Sequence, residues 1–90
     1  MPFIYCIYLH QRSIFVTTET GHVIAFPVKD IRKPKYILEA SLARVILAKV
    51  PAFNESLLLT LSREGSFSLF DQTRRQGGAP LFLQKYKCRQ

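Results

Sequence analysis

Two stretches of the chain share one pattern of apolar and polar positions, and this pattern predicts a β-hairpin in each. Residues 13–28 read SIFVTTETGHVIAFPV, and residues 57–72 read LLLTLSREGSFSLFDQ. Each stretch begins with an apolar, β-prone run, passes through polar residues to a single glycine, and continues with a second β-prone run. Glycine adopts the positive φ of a short hairpin connection without the steric cost of a Cβ atom. We therefore predict structural turns at Gly21 and Gly65.

The two hairpins belong to a longer repeat. Their glycines lie 44 residues apart, and a further apolar run both precedes and follows each hairpin. Four antiparallel strands in a repeat of about 44 residues are typical of a β-propeller blade. The pattern thus predicts an all-β fold, a partial β-propeller built from antiparallel four-stranded, blade-like units. We assign residues 1–90 to a single module, residues 1–43 to the first blade-like repeat and residues 44–90 to the second.

Residues 35–50 allow a different fold. This segment, KYILEASLARVILAKV, is rich in good helix formers, and its apolar positions 38, 42, 45 and 46 have helical spacing. Pro34 and Pro51 flank it as helix boundaries would. The alternative is a small α+β domain in which two hairpins pack on a helix at about residues 35–50. The propeller interpretation explains both ends of the chain, so we place it first.

Residues 57–71, LLLTLSREGSFSLFD, resemble a known family. The stretch is similar to the commonest signature of the WD-repeat (tryptophan–aspartate) propellers: an apolar strand, a small polar residue, an acidic residue and glycine at a turn, a second strand and an aromatic–Asp pair. Phe70 and Asp71 would stand in for the Trp-Asp pair. We count both with Gly21 and Gly65 among the structural turn residues, and we expect Asp71 to hold a turn after the strand. The Gly-His dipeptide that opens a blade in that family is absent. The resemblance implies a propeller fold and a non-catalytic role in protein–protein interaction or as a scaffold.

The apolar content of the chain predicts a partner. Hydrophobic residues make up 48% of the 90 residues, which is a large share for so small a free-standing domain. Propellers typically have at least four blades, whereas this chain has two blade-like repeats. We therefore expect self-association, or completion by another subunit, in a larger propeller or a multisubunit assembly.

The charge of the chain supports an alternative function as a basic RNA-, DNA- or ribonucleoprotein-binding module. Thirteen Lys and Arg residues stand against six Asp and Glu, and the resulting formal net charge of +7 favours acidic partners. One basic cluster lies at residues 29–35 and another at residues 74–89. In the second cluster an aromatic ring would stack on a base while the flanking cations meet phosphates. The candidate partner or nucleic-acid contacts are Arg74, Arg75, Lys85, Tyr86 and Lys87.

Two other interpretations of the basic residues stay open. Both clusters fall in predicted connections or in a polar tail, where solvated cations keep an apolar module soluble. Residues 73–77 also faintly resemble the Arg-Arg-Gly motif of phosphoinositide-binding propellers, which Gln76 interrupts. No segment has the length and apolarity that a bilayer span requires, so we do not expect a membrane protein.

The sequence contains no recognisable catalytic constellation. It has no P-loop, HExxH or GxSxG motif, and its two histidines, His10 and His22, lie in predicted turns. Cys6 and Cys88 lack the spacing of a zinc site, and so few cysteines favour a reduced, intracellular protein of the cytoplasm or nucleus. Cys6 is expected to be a small buried hydrophobe. We therefore predict a protein that is not an enzyme and binds no metal or other cofactor.

Overall fold

The computed structural model describes residues 4–87, which form eight β-strands in two antiparallel sheets of four strands each. Sheet 1 contains, in sequence order, β1 (Ile4–His10), β2 (Ser13–Thr18), β3 (His22–Pro27) and β4 (Tyr36–Glu39). Sheet 2 contains, again in sequence order, β5 (Val45–Lys49), β6 (Leu57–Ser62), β7 (Ser66–Gln76) and β8 (Ala79–Lys87). No helix occurs among these residues, so the all-β prediction is confirmed.

The alternative prediction of a helix at residues 35–50 is wrong. The segment contains β4, β5 and the connection between them. Along β4, Tyr36 and Leu38 are buried whereas Ile37 and Glu39 are exposed, which is the period of two that a strand requires. β4 pairs with β3, and β5 pairs with β6. The helix propensity of Leu, Ala and Arg is therefore outweighed by strand pairing and by burial of one face.

Glycine at positive φ forms the turn of each predicted hairpin. Gly21 connects β2 to β3 with a φ of 88°, and Gly65 connects β6 to β7 with a φ of 82°. In both turns the glycine N–H donates to the carbonyl oxygen three residues earlier, that of Thr18 at 3.3 Å and that of Ser62 at 2.9 Å. The two turns therefore have the same backbone geometry and hydrogen bond.

The hairpin of β7 and β8 is longer than the sequence pattern predicts. β7 continues for 11 residues to Gln76, so residues 72–76 extend the strand instead of forming a connection. Gly77 and Gly78, with φ values of 62° and 82°, make the tight turn into β8. Two consecutive positive φ values match a type I′ turn, whose twist suits a hairpin. The basic residues of this region therefore lie on strands.

The core lies between the two sheets. β5 packs against β1, β2 and β3, and β4 lies against β8. Ten buried apolar side chains form this core, namely Phe15, Val23, Ala25, Tyr36 and Leu38 from sheet 1, Val45, Ala48, Leu58 and Phe70 from sheet 2, and Val50 directly after β5. Because side chains alternate along a strand, the residues between these point away from the core. Each sheet therefore has one inward and one outward face.

Candidate functional site

The outward face of sheet 1 is apolar across all four strands. One row of direct cross-strand partners joins Ile7, Val16, Ile24 and Ile37. Ile7 and Ile37, at the two edges of the sheet, are 64% and 56% exposed. A second row of direct partners on β1, β2 and β3 lies beside the first. We call this surface the front face and define it by Ile7, Leu9, Ile14, Val16, Ile24, Phe26 and Ile37.

The outward face of sheet 2 is also apolar. One row of cross-strand partners joins Leu47, Leu61, Phe67 and Tyr86 and so crosses all four strands. The first three side chains are half-buried, and Tyr86 is exposed. The adjoining row has leucines on β6 and β7, with polar residues only on the two edge strands. We call this surface the back face and define it by Leu47, Leu57, Leu59, Leu61, Phe67, Leu69, Leu81 and Tyr86.

The sequence carries a signal for these two faces that the hairpin pattern does not use. An antiparallel strand with one solvated face alternates apolar and polar residues, whereas a strand covered on both faces is apolar throughout. Residues 14–16 read Ile-Phe-Val, and residues 57–59 read Leu-Leu-Leu. These unbroken apolar runs on the central strands β2 and β6 predict that both sides of each sheet are covered. The two-sheet core accounts for one side only.

A basic cleft opens between the sheets at one end of the core. It has a volume of about 290 Å³ and is lined by residues of both sheets, including the cations Arg12, Lys35 and Arg75. The Lys35 ammonium donates a hydrogen bond to the Ser13 hydroxyl. The Nε2 atom of His10 is buried without a hydrogen-bond partner. The structure thus brings one residue from each predicted basic cluster, Lys35 and Arg75, to the same cleft.

Tyr36 links the two sheets at the floor of the cleft. Its hydroxyl donates a hydrogen bond of 2.9 Å to Oε1 of Gln72, and the Gln72 amide donates in turn to the Leu57 carbonyl at 3.2 Å. The Arg75 guanidinium lies 4.9 Å from the centre of the Tyr36 ring, within the range of a cation–π interaction. Burial raises the pKa of Tyr36, and the charge of Arg75 offsets part of this effect. The phenol is therefore protonated at neutral pH.

We expect Tyr36 to make the stability of the protein fall at high pH. Because its pKa is raised on folding, the folded state holds the phenolic proton more tightly than the unfolded chain does. This contribution is complete below the ordinary tyrosine pKa of about 10 and is lost as the pH rises above it. In urea unfolding at constant ionic strength, the stability advantage of wild type over Tyr36→Phe should therefore shrink above about pH 10. An advantage that stays constant to about pH 11 would contradict this.

Arg74 and Arg75 occupy different environments although they are neighbours in sequence. Arg75 lies on the Tyr36 ring at the basic cleft. Arg74 makes an ion pair with Asp71, with 3.6 Å between its Nε and the carboxylate Oδ2. The Arg74 side chain is 72% exposed, so the ion pair contributes little to stability. Of these two candidate contacts, only Arg75 belongs to the cleft.

Tyr86 and its flanking lysines lie on opposite faces of β8. Tyr86 is the direct partner of Phe67 and belongs to the back face. Lys85 and Lys87 pair with serines that face the core, so they lie on the inward side of the edge strand and are exposed there. The structure therefore does not bring the ring and the two cations together around one nucleotide. Arg89, the last cation of this cluster, lies outside the described residues.

Phe70 is part of the core, and the Asp71 carboxylate stabilises a turn in the backbone that follows it. Phe70 is 3% exposed and makes an edge-to-face contact with Phe82, with 5.7 Å between the ring centres. The Asp71 carboxylate accepts hydrogen bonds from the backbone N–H and the hydroxyl of Thr73 at 2.9 and 2.6 Å. These bonds, with help from Arg74, hold the pKa of Asp71 below its usual range. Asp71 therefore shapes an irregularity in β7.

The side chains that could bind a metal ion or act in catalysis are dispersed over the described residues. Residues 4–87 contain no group of three or more His, Cys, Asp or Glu side chains that could hold a metal ion. Cys6 is a free thiol and is half-buried instead of buried as expected, and Cys88 lies outside the described range. His22 accepts or donates at 3.0 Å with the Thr20 hydroxyl inside the β2–β3 turn. Within the described part of the chain, no helix is long and apolar enough to cross a membrane.

Comparison with protein-family models and with curated proteins identifies no relative. No protein-family model matches the chain, and no curated protein matches it. The resemblance to WD-repeat propellers therefore has no support from these comparisons and rests on the pattern at residues 57–71.

Proposed function

We propose that this chain is a non-catalytic protein-interaction or scaffold module that packs its outward faces against further β-sheets in a larger propeller or multisubunit assembly. The observation that carries the proposal is the pair of apolar outward faces, front and back, on opposite sides of one two-sheet core. Apolar surface that is contiguous across a whole sheet marks an interaction surface, because burying it is the main favourable term in protein association.

The shape of the faces supports a β-sheet as the partner. Each face is a broad surface made of cross-strand rows, which suits a second layer at the usual spacing of about 10 Å better than it suits a small ligand. The module already makes one such contact, because a core of ten buried apolar side chains lies between its own two sheets. The same strands present comparable side chains on their other sides.

The propeller interpretation and the cellular location belong to this proposal. Two four-stranded antiparallel sheets, each in simple sequence order, support a stack of blade-like units. The small number of cysteines supports a reducing compartment inside the cell, in the cytoplasm or nucleus.

Nucleic-acid binding is the second candidate function, and the basic cleft favours it. Arg12, Lys35 and Arg75 line one opening in a chain of net charge +7. Each cation that meets a phosphate would make affinity fall as salt rises, because bound counterions are released. Apolar face-to-face packing would not weaken in that way. The two functions therefore use different surfaces and respond differently to salt.

Site-specific photo-crosslinking in the cells that make the protein tests both functions at once. A photoreactive phenylalanine analogue is placed on the front face at Ile37, on the back face at Tyr86, at the cleft in place of Arg75, or at Phe53. Phe53 is 87% exposed in the connection between β5 and β6, is not part of either face as defined, and serves as the matched control. We expect protein crosslinks from the Ile37 and Tyr86 positions, mapping to strands of a β-sheet in the partner.

The pattern of crosslinks decides between the two functions. If the positions on the front and back faces react no more than the Phe53 position, the proposed function is wrong. Crosslinks to RNA or DNA from the Arg75 position alone would instead support the nucleic-acid function. Adding Ile24→Glu beside the front-face probe should abolish its protein crosslink, because a charge would then have to be buried in the apolar contact.

A further inference from the structure

The 44-residue repeat makes the two sheets structurally equivalent. Cross-strand partners in the β2–β3 hairpin match those of the β6–β7 hairpin when 44 is added to each number. For example, the pair Thr17 and Val23 corresponds to the pair Leu61 and Phe67. The positions of the first sheet can therefore be compared one by one with those of the second.

Equivalent residues face opposite ways relative to the core. Val23 is fully buried on the inward face of sheet 1, whereas its equivalent Phe67 belongs to the back face. Conversely, Leu58 is fully buried on the inward face of sheet 2, and its equivalent Ile14 belongs to the front face. The sheets are thus stacked in the same orientation, as successive members of an array, and are not related by a two-fold axis.

Because of this orientation, the two outward faces are of the same two types as the surfaces that pack together in the core. The inward face of sheet 1 is equivalent to the back face, and the inward face of sheet 2 is equivalent to the front face. The core therefore already consists of a back-type surface packed on a front-type surface. One surface of each type remains uncovered, at opposite ends of the stack.

Building on the proposed function, we infer that the occupant of each outward face is a second copy of this chain, with the back face of one copy packed on the front face of the next. Such a head-to-tail interface is heterologous, since each copy uses a different surface. Heterologous contacts produce a closed ring where the rotation between copies closes and an open chain where it does not.

The composition of the front face favours this contact. Where the inward face of sheet 2 has Thr60 and Ser68, the front face has Val16 and Ile24 at the equivalent positions. Val16 is already only 7% exposed in the single chain, so it is at Ile24, which is half-buried, that the contact between copies would bury apolar surface where the core's own contact has a serine. The rows that define the front face contain no charge. Repulsion between copies of net charge +7 is long-range and is screened by salt, so self-association should strengthen as salt rises.

Sedimentation velocity on four forms of the full 90-residue chain tests the inference. The front variant carries Ile7→Glu and Ile37→Glu, and the back variant carries Leu61→Glu and Tyr86→Glu. The control variant carries Leu42→Glu and Phe53→Glu, two changes of the same charge at side chains that are 99% and 87% exposed in connections. We expect wild type and control to sediment as species larger than a monomer, and each face variant alone as a monomer.

Mixing the front and back variants gives the decisive result. Each variant retains one intact face of opposite type, so an equimolar mixture should form a dimer of one copy of each. Self-association of the back variant alone, with the front variant monomeric, would show a front-to-front contact and overturn the inference. Wild type that stays monomeric at about 100 μM, far above a micromolar Kd, would also overturn it. Protein crosslinks from Ile37 and Tyr86 would then still support the proposed function, with another protein as partner.

The folding of each variant is checked before sedimentation. The far-UV circular dichroism of a face variant must match that of wild type. If a glutamate variant unfolds, Ile37→Gln for the front face and Tyr86→Gln for the back face take its place, because a neutral amide at an exposed edge position perturbs the sheet less. The glutamine forms should weaken self-association at least tenfold, and unchanged association of both would contradict the inference.

Discussion

Replacing Gly21 with alanine is expected to remove most of the stability of the protein. A Cβ atom at this position would lie 1.9 Å from the Ser41 carbonyl oxygen and 2.8 Å from the Ala43 carbonyl oxygen. Both are backbone atoms, so no side-chain rotation relieves the clash. The φ of 88° adds a cost of about 1–2 kcal/mol for any residue with a Cβ. We expect a loss of about 4 kcal/mol or more in the free energy of unfolding, most of the stability of a small domain.

The fold cannot easily move away from this clash. The connection that follows β4 crosses the tip of the β2–β3 hairpin, and the Gly21 carbonyl accepts hydrogen bonds from the N–H groups of Ala40 at 2.9 Å and Ser41 at 3.1 Å. The Arg44 guanidinium also donates to the Glu19 carboxylate at 3.1 Å, which ties the same two segments together. Retreat of the connection would break these bonds along with the backbone contact.

Gly77→Ala is the matched control for Gly21→Ala. Gly77 also has a positive φ, of 62°, but a Cβ atom there would meet nothing within 4 Å. Its replacement should therefore cost only the backbone strain, about 1–2 kcal/mol. Urea unfolding followed by far-UV circular dichroism measures both variants. Equal losses for the two glycines would show that the crossing connection does not constrain Gly21.

The second large effect is expected for Leu58→Ala. Leu58 is fully buried in the core, on the inward face of the central strand β6, with Phe70 as its direct cross-strand partner. Truncation removes buried methyl groups and leaves a cavity that the two packed sheets can only partly close. We expect a loss of roughly 3–4 kcal/mol in the free energy of unfolding, measured by urea denaturation.

Leu59→Ala is the control for Leu58→Ala. The two leucines are adjacent on β6 and have the same intrinsic strand propensity, but Leu59 is half-buried on the back face. Its truncation leaves no closed cavity in the described core, so we expect a loss of only about 1 kcal/mol. Similar losses for the two variants would mean that the assignment of inward and outward faces is wrong.

The pair of leucines also separates folding from association. Leu58→Ala should destabilise the core and affect self-association only through unfolding. Leu59→Ala should leave the core folded while it weakens the contact between the back face and the front face of the next copy. A module whose central strands have one face for its own core and another for a neighbour needs both sets of side chains. A neighbour on the outward faces, as we propose, would explain the unbroken apolar runs on β2 and β6.

The two hairpin turns could be predicted from the sequence because the residues that form each turn are close together in the chain. A glycine between two β-prone runs predicts a hairpin from residues that are close in the chain, and both hairpins are present. The helix alternative at residues 35–50 arose from the same local reasoning, since Leu, Ala and Arg favour helices in isolation. Pairing of β4 with β3 and of β5 with β6 is non-local, and it outweighs that preference.

The candidate site was less predictable than the fold. The sequence grouped Lys85, Tyr86 and Lys87 because they are neighbours, whereas strand alternation sends the ring and the cations to opposite faces of β8. It also separated Lys35 from Arg75, which the packing of the two sheets brings to one cleft. Residues that are adjacent in the chain do not necessarily lie together in space. The strand geometry separates Tyr86 from its flanking lysines, and the packing of the sheets brings distant cations together.

By itself, the sequence determined the two hairpin turns, because strand periodicity and glycine's access to positive φ act over a few residues. It placed the all-β class ahead of an α+β alternative, and strand pairing in the tertiary structure decided between the two. The tertiary structure alone decided which side of each sheet is covered, why Gly21 tolerates no Cβ, and which cations share a cleft. These features depend on how segments distant in the chain approach one another. The clearest case is the stacking of the two sheets in one orientation, which leaves one front face and one back face uncovered. The same local patterns would equally allow a two-fold arrangement, in which the two uncovered faces would be of the same type.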